Sequence, residues 1–194
     1  MTPVATSLPK GANVSLTMAD PLLRRLLVGM GWRTKRRGGQ PVHLDASALL
    51  VGRDGRVPNR AHFVYYDQLA TQAATSGTPG PADVDGGDVE QLELDLAGVP
   101  DYVDKIVFAV SIHQAQQRGL TFADVDDHYI RVANLDTGNE LARYDLHEGA
   151  STETAMVFGE VYRHRSGDWK FRAVGQGWAD GLGGIARDYG ITAG

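Results

Sequence analysis

Cysteine is absent from this chain. That absence removes disulfides, thiolate zinc sites, iron–sulfur clusters and cysteine nucleophiles together, and it fits a reducing cytoplasm. Long apolar runs are also missing. No stretch approaches the ~18 apolar residues that a membrane-spanning helix needs, and the opening MTPVATSLPKGANVSL holds no hydrophobic region of signal-peptide type. A cytoplasmic location without a membrane span is the expectation. A basic balance is missing as well: the net charge is −5, so no global field draws in nucleic acid or an anionic membrane. Catalytic signatures complete the absences. There is no P-loop and no HExxH, and the GASTE run at 149–153 lacks the second glycine of a nucleophile elbow. A GxGxxA match at 181–186 follows a strand pattern, but only eight residues remain after it, too few for a dinucleotide-binding unit. The six histidines show no ligand spacing and read as surface or hydrogen-bonded residues. The chain therefore reads as a binding protein and not an enzyme.

What is present is a β texture. Short β-branched and aromatic runs alternate with Gly, Pro, Asp and Asn, the pattern of an all-β sandwich or barrel. The length suits one domain, 1–194, with a sizeable core. Strands are expected at 13–16, 26–32, 44–51, 62–66, 91–96, 106–113, 129–133, 140–145, 155–163 and 169–178. Asp136-Thr137-Gly138-Asn139 and Arg165-Ser166-Gly167-Asp168 supply two hairpin turns. The run IVFAVSI at 106–112 is apolar on both faces and belongs in the middle of a sheet. Helix is confined to a turn capped by Thr121 and a terminal turn at 182–189. The segment 71–87, rich in Gly, Pro, Ala and Thr, reads as a long loop. The basic run at 32–39 reads as a solvated hairpin tip.

One loop carries chemistry. Asp83, Asp85, Asp88 and Glu90 place four carboxylates in eight residues, with Gly86 and Gly87 between them. Hard divalent cations such as Ca²⁺ take six to eight oxygen ligands, and a glycine-bearing loop can converge alternate carboxylates on one ion. The spacing is not that of an EF-hand, and a solvated acidic turn explains the local pattern equally well. Asp45, at the start of one strand, and Asp67, at the end of another, can join such a site from separate loops. Asp45 serves as a strand cap in the alternative.

Longer strings resemble a known family. Leu8-Pro9-Lys10-Gly11-Ala12-Asn13-Val14-Ser15-Leu16 resembles the LxKGxNVSL opening of TerD-type proteins. Leu44-Asp45-Ala46-Ser47-Ala48, Val103-Asp104-Lys105-Ile106-Val107-Phe108-Ala109-Val110 and Ala150-Ser151-Thr152-Glu153-Thr154-Ala155-Met156 continue the match, which runs through Gly184-Ile185-Ala186-Arg187-Asp188-Tyr189-Gly190. The resemblance implies a two-sheet, mostly antiparallel β-sandwich in the bacterial cytoplasm. It implies Ca²⁺ bound through the acidic loop, and non-catalytic service in tellurite resistance and stress alongside protein partners, relatives of the same system among them. The chain departs from the family pattern at the metal. His43 stands where the family has Asp, and Val84, Gly86 and Val89 also replace acids. Asp83 and Asp85 fall where the family has Gly, while Asp88 and Glu90 keep their acids. Each lost carboxylate removes a ligand and a charge, so one weakened calcium site or none is expected. Glu153, in the intact ASTETA string, either contacts the metal or orders the turn before a strand. Two functions follow from the resemblance: a calcium-responsive interaction module, or a metal-independent scaffold of the same fold.

Overall fold

The computed structural model describes residues 5–35, 38–64, 74–77, 87–147 and 152–191. Twelve strands carry the described chain: β1 (Thr6–Ser7), β2 (Asn13–Ser15), β3 (Arg25–Thr34), β4 (Leu44–Gly52), β5 (Phe63–Val64), β6 (Ala74–Gly77), β7 (Glu90–Asp95), β8 (Val103–Ile112), β9 (Val125–Asn134), β10 (Glu140–Asp145), β11 (Ala155–Arg163) and β12 (Trp169–Trp178). The helices are short: α1 (Leu16–Ala19), α2 (Ala115–Arg118) and α3 (Gly181–Asp188). One sheet runs β1-β10-β9-β3-β7-β6 and the other β2-β12-β11-β8-β4-β5. All pairings are antiparallel except β1 on β10. The expected sandwich is present.

The inward positions of both sheets meet in one core. Leu26, Val28 and Met30 of β3 and Leu92 and Leu94 of β7 face Ile106, Phe108 and Val110 of β8, with Phe158 and Phe171 beside them. The outward residues of the second sheet form another apolar layer: Leu49, Val51, Val107, Ala109 and Val157, under Ile185 of α3. This second layer explains why β8 is apolar on both faces. One face looks into the sandwich and the other lies beneath the terminal helix. Ile185 is fully buried, and the backbone bond from Val57 to the Tyr189 carbonyl (2.8 Å) pins the end of α3.

Both expected hairpins form, β9–β10 and β11–β12. In the first, the Asn134 side chain accepts from the amides of Asp136 (2.8 Å) and Thr137 (3.2 Å), the local capping that Asn favours. The strand β1 and the short helices α1 and α2 stand outside the expected elements, and two expected segments differ. The segment read as one loop, 71–87, contains β6, paired to β7. Cross-strand backbone bonding decided this where no apolar alternation announced it. The expected strand 62–66 is a 3-10 turn (Arg60–His62) leading into β5, with Asn59 capping it through Ala61 N (2.9 Å); 65 and 66 lie outside the described residues. The amino-terminal segment bridges the two sheets along one edge, β1 on β10 and β2 on β12.

Candidate functional site

The rim formed by the starts of β4 and β7 and the end of β8 collects the acids that can be placed. Asp45 is the second residue of β4. Its neighbours Leu44 and Ala46 pack on the inter-sheet core, so alternation turns Asp45 to the outer face of the second sheet. There its Oδ2 lies 3.7 Å from His113 Nδ1. Glu90 opens β7 opposite Met30. Since Met30 is a core residue, Glu90 points toward the inter-sheet side of the rim. Burial pushes the Glu90 carboxyl above the usual range, and the charge of Asp45 pushes it further. Two carboxylates from different sheets therefore feel each other at one end of the sandwich.

Asp88, only two residues before Glu90, goes elsewhere. Its carboxylate lies on the outer face of the first sheet, over Gly29. A side chain at Gly29 would overlap it, and one at Gly31 would overlap the Tyr129 ring. Glycine at alternate positions of β3 thus makes room for a polar cluster pressed onto the backbone. The Asp88 side chain is 1% exposed. Arg131 Nε donates to Oδ1 at 2.8 Å and to Oδ2 at 3.0 Å, and Arg131 Nη2 also reaches Oδ2. Tyr129 Oη donates to Oδ1 (2.8 Å) and Gln91 Nε2 to Oδ2 (2.9 Å). Burial alone would raise this carboxyl. The hydrogen bonds from Arg131, Gln91 and Tyr129, with the Arg131 charge, override it and hold Asp88 below the usual range. Burial and the Asp88 bond push the Tyr129 hydroxyl well above its ordinary value. Arg143 closes the cluster, its guanidinium 3.7 Å from the Tyr129 ring centre and its Nε 3.0 Å from Asp145.

Glu153 serves its turn. Its Oε2 accepts from Thr152 N (3.1 Å), its carbonyl accepts from Phe122 N (2.9 Å), and its side-chain carbons lie where a Cβ on Gly177 would sit. Of the residues expected to hold metal, Asp67, Asp83 and Asp85 lie outside the described residues. Asp45 and Glu90 stand at the same end of the sandwich, Asp45 on the outer face of its sheet and Glu90 toward the inter-sheet side; Asp88 is held by Arg131 and Glu153 bonds locally. Among the described residues no three His, Asp or Glu side chains already surround a common point. Sequence reasoning missed Arg131 and Tyr129. The one available signal was the pair Gly29 and Gly31 inside a strong strand, a mark of close approach in a sheet.

Together these features define a class: an all-β sandwich with an acidic rim at one end and a buried ion pair beneath it. The TerD domain model matches residues 4–189, and the chain belongs to the TerD family. It is 47% identical over 193 residues to the tellurium resistance protein TerD of Serratia marcescens, covering 98% of this chain and 100% of that one. General stress protein 16U of Bacillus subtilis (strain 168) is 40% identical over 191 residues, covering 97% and 98%. In fold, the chain is similar to the crystal structure of a telluride resistance protein (TerD) homologue from Streptomyces coelicolor A3(2). That match has a TM-score of 0.66 at 24% identity and covers 84% of this chain and 95% of that one. The family expected from the sequence is confirmed, and its members are named for tellurium resistance and stress response. No helix among the described residues is long and apolar enough to cross a membrane.

Proposed function

We propose that this protein is a non-catalytic, calcium-responsive interaction module of the tellurium-resistance and stress class, working in the bacterial cytoplasm with protein partners of the same system. The observation that carries this reading is the pair Asp45 and Glu90. Burial and the negative charge of Asp45 both disfavour the ionised Glu90 carboxylate, and a divalent cation would relieve that cost. Carboxylate oxygens are the donors that Ca²⁺ takes, so the rim fits the ion in kind. In number it fits less well. Asp88 already has a guanidinium on it, which leaves Asp45 and Glu90, with Asp67, Asp83 and Asp85 outside the described residues, as the donors this chain can offer. Affinity then belongs at the weak end, with Kd on the order of 10⁻⁴–10⁻³ M. Bound calcium would supply charge neutralisation at the rim.

The test is a Ca²⁺ titration of chelator-treated protein, followed by calorimetry and melting temperature, with Mg²⁺ as control. Stabilisation at a hundredfold excess over Kd is about 2.7 kcal/mol for a ligand that binds only the folded state. A saturable, Ca²⁺-specific heat that disappears in Asp45→Asn and Glu90→Gln supports the module. No heat and no melting shift at millimolar Ca²⁺ would remove it. The Asp88–Arg131 pair favours the second reading, a metal-independent scaffold, because a protein cation already neutralises this buried acid of the loop.

A further inference from the structure

We infer that His43, Asp45 and His113 form a site for a borderline divalent transition cation of the Zn²⁺ type on the outer face of the second sheet. Register carries the inference. Leu44 pairs with Ile112 and Asp45 with Ser111, and His113 N donates to the His43 carbonyl at 2.9 Å. His43 therefore stands directly opposite His113 across β4 and β8. Val42, Leu44 and Ile112 are all buried in the inter-sheet core. Alternation then sends His43, Asp45 and His113 to the same outer face. The 3.7 Å approach of His113 Nδ1 to Asp45 Oδ2 shows independently that these two share it.

Directly opposed residues of an antiparallel pair have Cβ atoms roughly 4.5–5.5 Å apart, and diagonal neighbours remain within reach of long side chains. Two imidazoles and one carboxylate thus occupy one patch, a donor set that suits Zn²⁺, Ni²⁺ or Cu²⁺ far better than Ca²⁺, which prefers oxygen alone. The imidazoles are available. The His113 side chain is 54% exposed, and His43 is exposed. As they stand, the three side chains do not surround a common point, so binding requires both exposed rings to turn toward Asp45. Three of the other four histidines are engaged or enclosed, and His147 stands apart just beyond the end of β10. His62 bonds Asn59 and Tyr102 through its two nitrogens, His164 bonds Ser166, and His128 is buried. In a chain without cysteine, this pair supplies two imidazole nitrogens beside a carboxylate. Asp45 is shared with the proposed calcium rim, so the two ions compete for one carboxylate while the remaining donors differ.

Calorimetric titration of the chelator-treated full chain with ZnCl₂, and separately with CaCl₂, tests the site. One Zn²⁺ per chain is expected. Changes outside the first ligand sphere alone cost roughly 10–100-fold in metal affinity, so His43→Ala and His113→Ala should each weaken Zn²⁺ by about tenfold or more, while His147→Ala leaves it unchanged. Both variants lie on the surface, and an unshifted melting curve in chelator verifies that they fold. Absence of saturable Zn²⁺ heat up to millimolar concentration, or His43→Ala and His113→Ala binding like the parent, would overturn the site. The calcium reading fails separately: Zn²⁺ heat retained with no Ca²⁺ heat removes the calcium rim and leaves this site standing.

Discussion

Arg131→Ala is the most informative single perturbation, because it leaves a buried carboxylate without its counter-ion. In the parent, Arg131 supplies three of the five hydrogen-bond contacts to Asp88. The Asp88 side chain is 1% exposed and that of Arg131 22%, so solvent screens the pair weakly. Removing one partner of such a pair costs about 3–5 kcal/mol, more than the intact pair contributes over an apolar replacement. Partial exposure of Arg131 and the remaining Tyr129 and Gln91 bonds place the expected loss near the lower bound, about 3 kcal/mol. At roughly 2–4 °C per kcal/mol for a chain of this size, the melting temperature falls by about 6–12 °C. Urea denaturation at pH 7 measures the loss directly. The pH dependence makes the test sharper. In the parent, the depressed Asp88 pKa contributes stability above the unfolded value, near pH 4, that is lost as pH falls through the folded pKa. Without Arg131, burial dominates and raises the folded pKa, so protonation of Asp88 now stabilises the folded state. The gap between variant and parent must therefore narrow as pH drops from 7 toward 4. A second change, Asp88→Asn on top of Arg131→Leu, should recover more than half of the loss. A deficit under about 1 kcal/mol at pH 7, or one that is constant with pH, would refute this account of the cluster.

Three further outcomes follow from the same structure. His128 is buried between the rings of Phe122 and Phe158 (centroids 5.7 and 5.8 Å), and neither ring nitrogen has a hydrogen-bond partner among the described residues. Burial lowers its pKa and the His147 charge adds to this, against Asp126 and Asp127. The unfolded chain then binds the extra proton first, so stability falls as pH drops below about 6.5. His128→Leu should flatten the melting-temperature profile between pH 7.5 and 5, and an unchanged slope would remove the assignment. Gly29→Ala sets a Cβ against the Asp88 carboxylate and should cost roughly 1–3 kcal/mol by overpacking, read as a lower urea midpoint. Ile185→Ala empties the contact beneath α3 and should cost about 2–5 kcal/mol; amide exchange should rise first in 181–191 if the helix detaches alone.

Sequence by itself determined the class of fold and the family. Alternating β-branched and aromatic runs, two turn sequences with glycine at the required place, and a run apolar on both faces are local properties, and each survives into the structure as β9–β10, β11–β12 and the central β8. Missing cysteine excluded thiol chemistry because that depends on composition alone. The rim was legible only as a set of acids near one another in the chain. Asp88 and Glu90 are two residues apart, which suggests a shared face, yet tertiary structure separates them. A guanidinium from β9 and two glycines of β3 draw Asp88 to the outer face of its sheet, while β7 register turns Glu90 toward the inter-sheet side. His43 and His113 show the converse: distant in the chain and without ligand spacing, they become neighbours because Leu44 pairs with Ile112. Alternation is written in the sequence one strand at a time. Which residue stands opposite which is set by register between strands, and register is decided only when both faces of the sandwich are buried at once.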